Sequence, residues 1–148
     1  MNVEIFTDGA CSNNQIPSLR EGGFAYIVPA NGKFMVMYKY EKGATNNQME
    51  LKAFLGALEY IITNGYGGCP VTLHTDSTYV IGCFSGNKVK KNQDLVRHIA
   101  DIIARHKFSV SYNYVRGHNG HRFNELCDTF AKQAIAEKNT EVKSLIIE

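Results

Sequence analysis

Hydrophobic and polar positions follow two rhythms along this chain, a strand-like alternation early and late and a helical period between. Residues 2–7 (NVEIFT) are β-rich and end at Asp8-Gly9, which predicts a strand closing on a turn. A loop rich in Gly, Asn and Pro follows to about Gly22. Two further β-type runs, 24–28 and 33–40, flank Pro29-Ala30-Asn31-Gly32, and the Asn-Gly pair predicts an antiparallel hairpin. From 46 to about 64 the period turns helical: Met49, Leu51, Phe54, Leu55, Leu58, Ile61 and Ile62 recur at three- and four-residue steps, with Thr45 or Asn46 as a cap. A short strand at 71–75, a helical stretch at 77–84 and a basic loop at 86–92 come next. An amphipathic helix at 94–106, an alternating strand at 108–115 and a helix at 122–137 complete the pattern. The order β-β-β-α-β-α-α-β-α predicts a meander followed by two strands reached through right-handed helical crossovers. That is an α/β fold with a mixed sheet and helices on its faces.

The length of 148 residues suits a single domain, and 44% hydrophobic with 20% charged residues is globular composition. No apolar run reaches a membrane span and no basic-then-apolar leader opens the chain, so no membrane is expected among its partners. Cys11, Cys69, Cys83 and Cys127 include no Cys-x-x-Cys pair, which argues against a zinc ribbon or disulfide scaffold and for reduced thiols in a cytoplasmic setting. Charge changes the picture more. Between Gly86 and Arg122 eight Lys/Arg face only Asp94 and Asp101, a segment of +6 on a remainder of −4. Such a segment is the footprint of a polyanion binder, although a solvated helix face has the same composition.

Four acids occupy positions that carboxylates seldom take. Asp8 and Asp76 each close an apolar strand, at the same edge if the strands are parallel neighbours, which is where open α/β sheets bind ligands. Glu50 stands in line with Phe54, Ala57, Leu58 and Ile61 on the buried stripe of its helix, and Asp128 lies beside the Phe130/Ala134 face. Singly, a turn explains Asp8-Gly9, a helix cap explains Asp76-Ser77, and a bridge to Lys or Arg explains Glu50. Together they require pairing, protonation or a bound cation. Four hard oxygen ligands at one edge suit Mg²⁺ or Mn²⁺ over zinc. His118, in the glycine-flanked loop Arg116-Gly117-His118-Asn119-Gly120, leads into the Asp128 helix and is a candidate proton carrier.

These residues fall in five signatures: Thr7-Asp8-Gly9-Ala10-Cys11, Thr45-Asn46-Asn47-Gln48-Met49-Glu50-Leu51, Thr75-Asp76-Ser77-x-Tyr79-Val80, Val115-Arg116-Gly117-His118, and Asn124-Glu125-Leu126-Cys127-Asp128-x-x-Ala131. In order and spacing the chain resembles the type 1 ribonuclease H family from Val3 to about Glu137. The resemblance implies a five-stranded mixed sheet of order 3-2-1-4-5 flanked by helices. It implies endonucleolytic hydrolysis of the RNA strand of RNA–DNA hybrids, leaving 5′-phosphate and 3′-hydroxyl ends, with two Mg²⁺ ions for which Mn²⁺ substitutes. Asp8, Glu50, Asp76 and Asp128 match the family's metal-binding carboxylates, and His118 its proton-handling histidine. Cys11, Asn14, Asn46 and Gln48 match positions that touch sugars and base edges across the minor groove, where amides can read a 2′-hydroxyl. Thr45 and Asn92 match a pocket for a DNA-strand phosphate.

The departures from the family are specific. Gly43 stands where the phosphate pocket has an Arg, with Lys42 beside it, and the long basic, Trp-bearing handle of many relatives is reduced to a loop carrying Lys88, Lys90 and Lys91. Asp8 comes almost at once, so no separate hybrid-binding module is expected. The expected organisation is a catalytic domain over 1–138 with a tail at 139–148, acting as a monomer. The competing classes are a non-catalytic hybrid-binding relative, a DNA-directed nuclease of the same fold, and a metal-binding protein without nucleic acid. The first would have lost carboxylates, the second would lack the Thr-Asn-Asn-Gln-Met-Glu run and the Gly-His loop, and the third leaves the basic segment unexplained.

Overall fold

Residues 2–116 and 121–148 are described by the computed structural model. Among them, in chain order, lie β1 (Val3–Ser12), β2 (Glu21–Ala30), β3 (Lys33–Lys42), α1 (Asn46–Thr63), β4 (Pro70–Thr75), α2 (Thr78–Cys83), α3 (Gln93–Arg105), β5 (Ser109–Tyr114), α4 (Arg122–Glu137) and β6 (Lys143–Ile147). A 3-10 turn, Pro17–Leu19, interrupts the loop before β2. The sheet runs β5-β4-β1-β2-β3-β6. β1, β2 and β3 are antiparallel, whereas β1–β4 and β4–β5 are parallel, as crossovers through α1 and through α2 and α3 require.

The expected five-stranded sheet is corrected to six strands. The tail crosses back and pairs antiparallel with β3, from Tyr38↔Lys143 to Phe34↔Ile147. Two features hold it. The Asn139 carbonyl accepts from the Tyr40 amide at 2.8 Å while its side chain donates to the Tyr38 carbonyl at 3.0 Å, and Ile147 packs beside Phe34 and Phe123. Deleting residues 142–148 removes this partly buried isoleucine and the ladder. We expect a loss of about 1–2 kcal/mol, seen as a melting temperature several degrees lower.

The strand boundaries also move. β1 runs through Asp8 to Ser12, because its partner changes: β4 pairs with it only as far as Phe6↔His74, while β2 stays paired to Ser12↔Glu21. Asp8 therefore closes the parallel pairing and not the strand itself. Alternation sorts β1 into two faces. Val3 and Ile5 join Leu51, Phe54, Leu58 and Ile61 of α1 in one core, while Phe6 and Ala10 meet Cys127 and Ala131 of α4 in the other. Close approach at the second face depends on Gly23, since a Cβ there would lie 2.1 Å from the Ala131 carbonyl oxygen.

Candidate active site

The start of α1 is built by a reciprocal cap. The Thr45 hydroxyl accepts from the Gln48 amide at 3.2 Å, and the Gln48 side chain accepts from the Thr45 amide at 2.8 Å. Four residues beyond the first helical position, Glu50 faces β1, where the Gly9 amide donates to its Oε1 at 2.6 Å. Only glycine permits this approach: a Cβ on residue 9 would sit 2.5 Å from the Glu50 nitrogen and 2.8 Å from the Met49 carbonyl carbon. Asp76 follows the last residue of β4, and Ser77 beyond it caps α2 through the Val80 amide.

This brings Asp8, Glu50 and Asp76 together, with one carboxylate oxygen from each within 4.8 Å of the others. Asp8 is 4% and Glu50 6% exposed, and among the described residues neither forms an ion pair with Lys or Arg. Burial, then the charges of Asp76 and Asp128, push the Asp8 carboxyl up to about 8. Burial, then the charge of Asp8, raises Glu50 well above the ordinary carboxylate range. Asp8 Oδ2 is buried with no hydrogen-bond partner. Acids held this close, one with an orphaned oxygen, fit a hard divalent cation. Without one they must share protons.

Asp128 reaches the site from α4 and acts on Asp8 through its charge, but it stands outside the tight trio and pairs with Lys132 at 3.1 Å. The expectation for His118 lies outside the described residues. Asn124, one helical turn before Asp128, is 3% exposed and donates to the His74 carbonyl at 3.2 Å, tying α4 to the end of β4. Its place in the Asn124-to-Ala131 signature was the only sequence signal for it.

The candidate substrate residues spread from this centre. Cys11 Sγ lies 3.2 Å from the Ala44 carbonyl oxygen, and the Asn14 side chain accepts from the Asn46 amide at 3.2 Å, which joins the β1–β2 loop to the start of α1. Asn14, Thr45, Asn46, Gln48 and Asn92 share one groove of about 590 Å³. Asn92 takes a left-handed conformation (φ 60°) and donates to the Tyr79 hydroxyl, which donates in turn to the Lys91 carbonyl. Lys88, Lys90 and Lys91 rim a neighbouring cavity of about 340 Å³ floored by Tyr79, Cys83 and Val89. The structure thus gathers these residues on the side of the sheet's active end where α1 and α2 begin.

The mixed sheet sets three acids at the junction of its parallel and antiparallel halves, and comparison with known proteins defines the class. A family model described as RNase H matches residues 1–136. Ribonuclease H of Chelativorans sp. (strain BNC1) is 38% identical over 148 residues, covering 90% of this chain and 85% of the relative. Ribonuclease H of Nitrosomonas eutropha is 39% identical over 150 residues, covering 90% and 89%. The chain belongs to the ribonuclease H family. Among solved structures, LC9-RNase H1, a type 1 RNase H with the type 2 active-site motif, superposes with a TM-score of 0.78 at 22% identity over 99% of this chain and 77% of that one. LC11-RNase H1 in complex with RNA/DNA hybrid gives 0.71 at 22% identity over 92% and 98%. At that identity the likeness concerns the fold.

Proposed function

We propose that this protein hydrolyses the RNA strand of RNA–DNA hybrids endonucleolytically, leaving 5′-phosphate and 3′-hydroxyl ends, and that it does so with two Mg²⁺ ions. The observation that carries the reading is the cluster of buried Asp8 and Glu50 with half-buried Asp76, and the orphaned Asp8 Oδ2. Asp8, Glu50, Asp76 and Asp128 would hold the metal, Mn²⁺ substituting for Mg²⁺, and positive charge there would favour ionisation of a water and offset charge developing on the phosphate.

The protein's own groups do the rest. Gly9 fixes Glu50 through its amide, so the carboxylate waits in one orientation. Asp8 and Glu50 are buried, while half-buried Asp76 leaves the cluster open to solvent and substrate on its own side. His118 assists proton handling or product departure. Amides at Asn14, Asn46 and Gln48, with Cys11, face the minor groove, where the 2′-hydroxyl separates RNA from DNA. The protein works as a monomer in the cytoplasm, with residues 1–138 as the catalytic domain. No helix among the described residues is long and apolar enough to cross a membrane.

One assay tests the reading: end-labelled hybrid, double-stranded RNA, single-stranded RNA and DNA duplex, each with and without Mg²⁺. Cleavage confined to the RNA of the hybrid and abolished by chelation is expected. Cutting of the DNA duplex, or binding without cleavage, would replace it with one of the competing classes.

The basic loop gives a separate prediction. Replacing Lys88, Lys90 and Lys91 together should raise KM more than it lowers kcat, because distant phosphate contacts hold ground and transition states alike. The salt dependence of hybrid affinity should flatten by up to about three units, one per contact. Superimposable salt slopes for the two proteins would take the loop out of substrate binding.

A further inference from the structure

The groove at the start of α1 contains a cation that the sequence motifs do not mark. Arg20 directly precedes β2, and the pairing Glu21↔Lys42 sets it across from Gly43, whose amide donates to the Arg20 carbonyl at 3.0 Å. Gly43 has φ +84° and nothing within 4 Å of where a Cβ would stand, so the backbone there is open and brings no charge. Lys42 does not line this groove: it lies in the cavity on the other side of Arg20, where Glu21 is already engaged by Tyr40 and Lys138. Arg20 and Lys91 line the groove with Thr45 and the amide side chains, and no carboxylate is among its lining residues.

The guanidinium is aimed. Its Nε donates to the Asn14 carbonyl at 2.9 Å, and Asn14 is itself fixed to α1 through the Asn46 amide. With Nε engaged, the two Nη groups remain as a planar pair of donors, and among the described residues Arg20 forms no ion pair. Because Thr45 Oγ1 accepts from the Gln48 amide, its own O–H proton is left to donate. A fork of donors, an ammonium and a hydroxyl without an opposing acid match a phosphodiester, which offers paired anionic oxygens.

Building on the hybrid-cleaving function proposed above, we propose that Arg20, with Lys91, grips one backbone phosphate of the hybrid in this groove, so that the charge absent at Gly43 is supplied from the strand opposite. Arg20 is then a substrate-positioning residue. The phosphate belongs to either strand, and the test reads which.

Hybrids carrying a single neutral methylphosphonate linkage, stepped through the RNA strand and then through the DNA strand, are titrated in EDTA against wild type, Arg20→Gln and Lys91→Gln. Glutamine retains an N–H that can reach the Asn14 carbonyl but removes the charge. For wild type, one linkage is expected to weaken binding about tenfold. Arg20→Gln should lose a similar factor on the unmodified hybrid and become indifferent to that same linkage, with KM in Mg²⁺ rising more than kcat falls. Lys91→Gln, at an exposed position, should show a smaller loss at the same linkage. If both variants respond to every linkage as wild type does, the proposal is overturned. Failure of wild type to cleave hybrid in Mg²⁺ would instead overturn the function itself.

Discussion

Glu50→Gln and Asp8→Asn should each abolish most hybrid cleavage in Mg²⁺, by roughly 10³-fold or more, about 4 kcal/mol of transition-state stabilisation. The same changes should make the metal-free protein more stable. Both effects have one cause. The two acids are buried beside Asp76 with no cationic partner among the described residues, an arrangement unfavourable without metal and necessary with it. The pH dependence follows from the raised Asp8 carboxyl. In the unfolded chain it ionises near its ordinary value of 3.8, whereas in the metal-free fold it stays protonated to about 8. Between these values the unfolded chain has released a proton that the folded chain retains. Stability in EDTA should therefore be greatest below about pH 4 as far as this group is concerned, and fall as pH rises toward about 8. Melting curves from pH 5 to 8 in EDTA check this. Asp8→Asn should flatten the slope and raise the melting temperature at pH 8, and Mg²⁺ should restore the wild type there. A wild-type melting temperature indifferent to both pH and metal would mean that the trio stores no repulsion.

Gly9→Ala should cost activity about 10²-fold through packing alone. The added methyl meets backbone atoms of Glu50 and Met49 at 2.5 and 2.8 Å, and backbone in a capped helix cannot step aside cheaply. Moving the start of α1 away breaks the hydrogen bond from the Gly9 amide to Glu50 and shifts that carboxylate relative to Asp8 and Asp76. Overpacking of this kind costs about 1–3 kcal/mol, and a displacement near 1 Å at the reacting groups about 10²-fold in rate. Gly22→Ala is the control. Its methyl meets side-chain atoms only, Met49 Cγ and Sδ at 2.8 Å and Ala44 Cβ at 3.0 Å, so it presses on packing without displacing the backbone that carries Glu50. Kinetics and melting curves of the two variants should separate by at least tenfold in kcat, and equal kcat values would show that the approach of α1 to β1 does not position Glu50.

Glu50 shows what a sequence can reveal. Its helical register with Phe54, Leu58 and Ile61 placed it on the buried stripe, and it lies there at 6% exposure. The element order, the hairpin and the boundaries of α1 and α4 were equally readable, because periodicity and caps are local signals. Asp8 was harder. Asp-Gly reads as a turn, yet β1 continues through it, since continuation depends on β2 still offering partners after β4 has turned away. Gly9 was visible as a flexible residue but not as a contact surface, which depends on a helix some 40 residues distant. Arg20 lay in a loop without periodicity, and only the cross-strand register reveals what it faces. β6 was hidden for the same reason, since a short run of Leu145, Ile146 and Ile147 does not say which edge it will cover.

That last strand has a consequence for solubility. Without it β3 would end the sheet as an open edge of ten residues carrying Phe34, Met35, Val36 and Met37, long enough and apolar enough to template pairing with other chains. β6 replaces it with an edge of five residues, begun by Lys143 and followed by Glu148, each already engaged in an ion pair with this same molecule. β6 thus trades a long apolar edge for a shorter one flanked by charge, leaving fewer open backbone donors and acceptors for another chain to pair with.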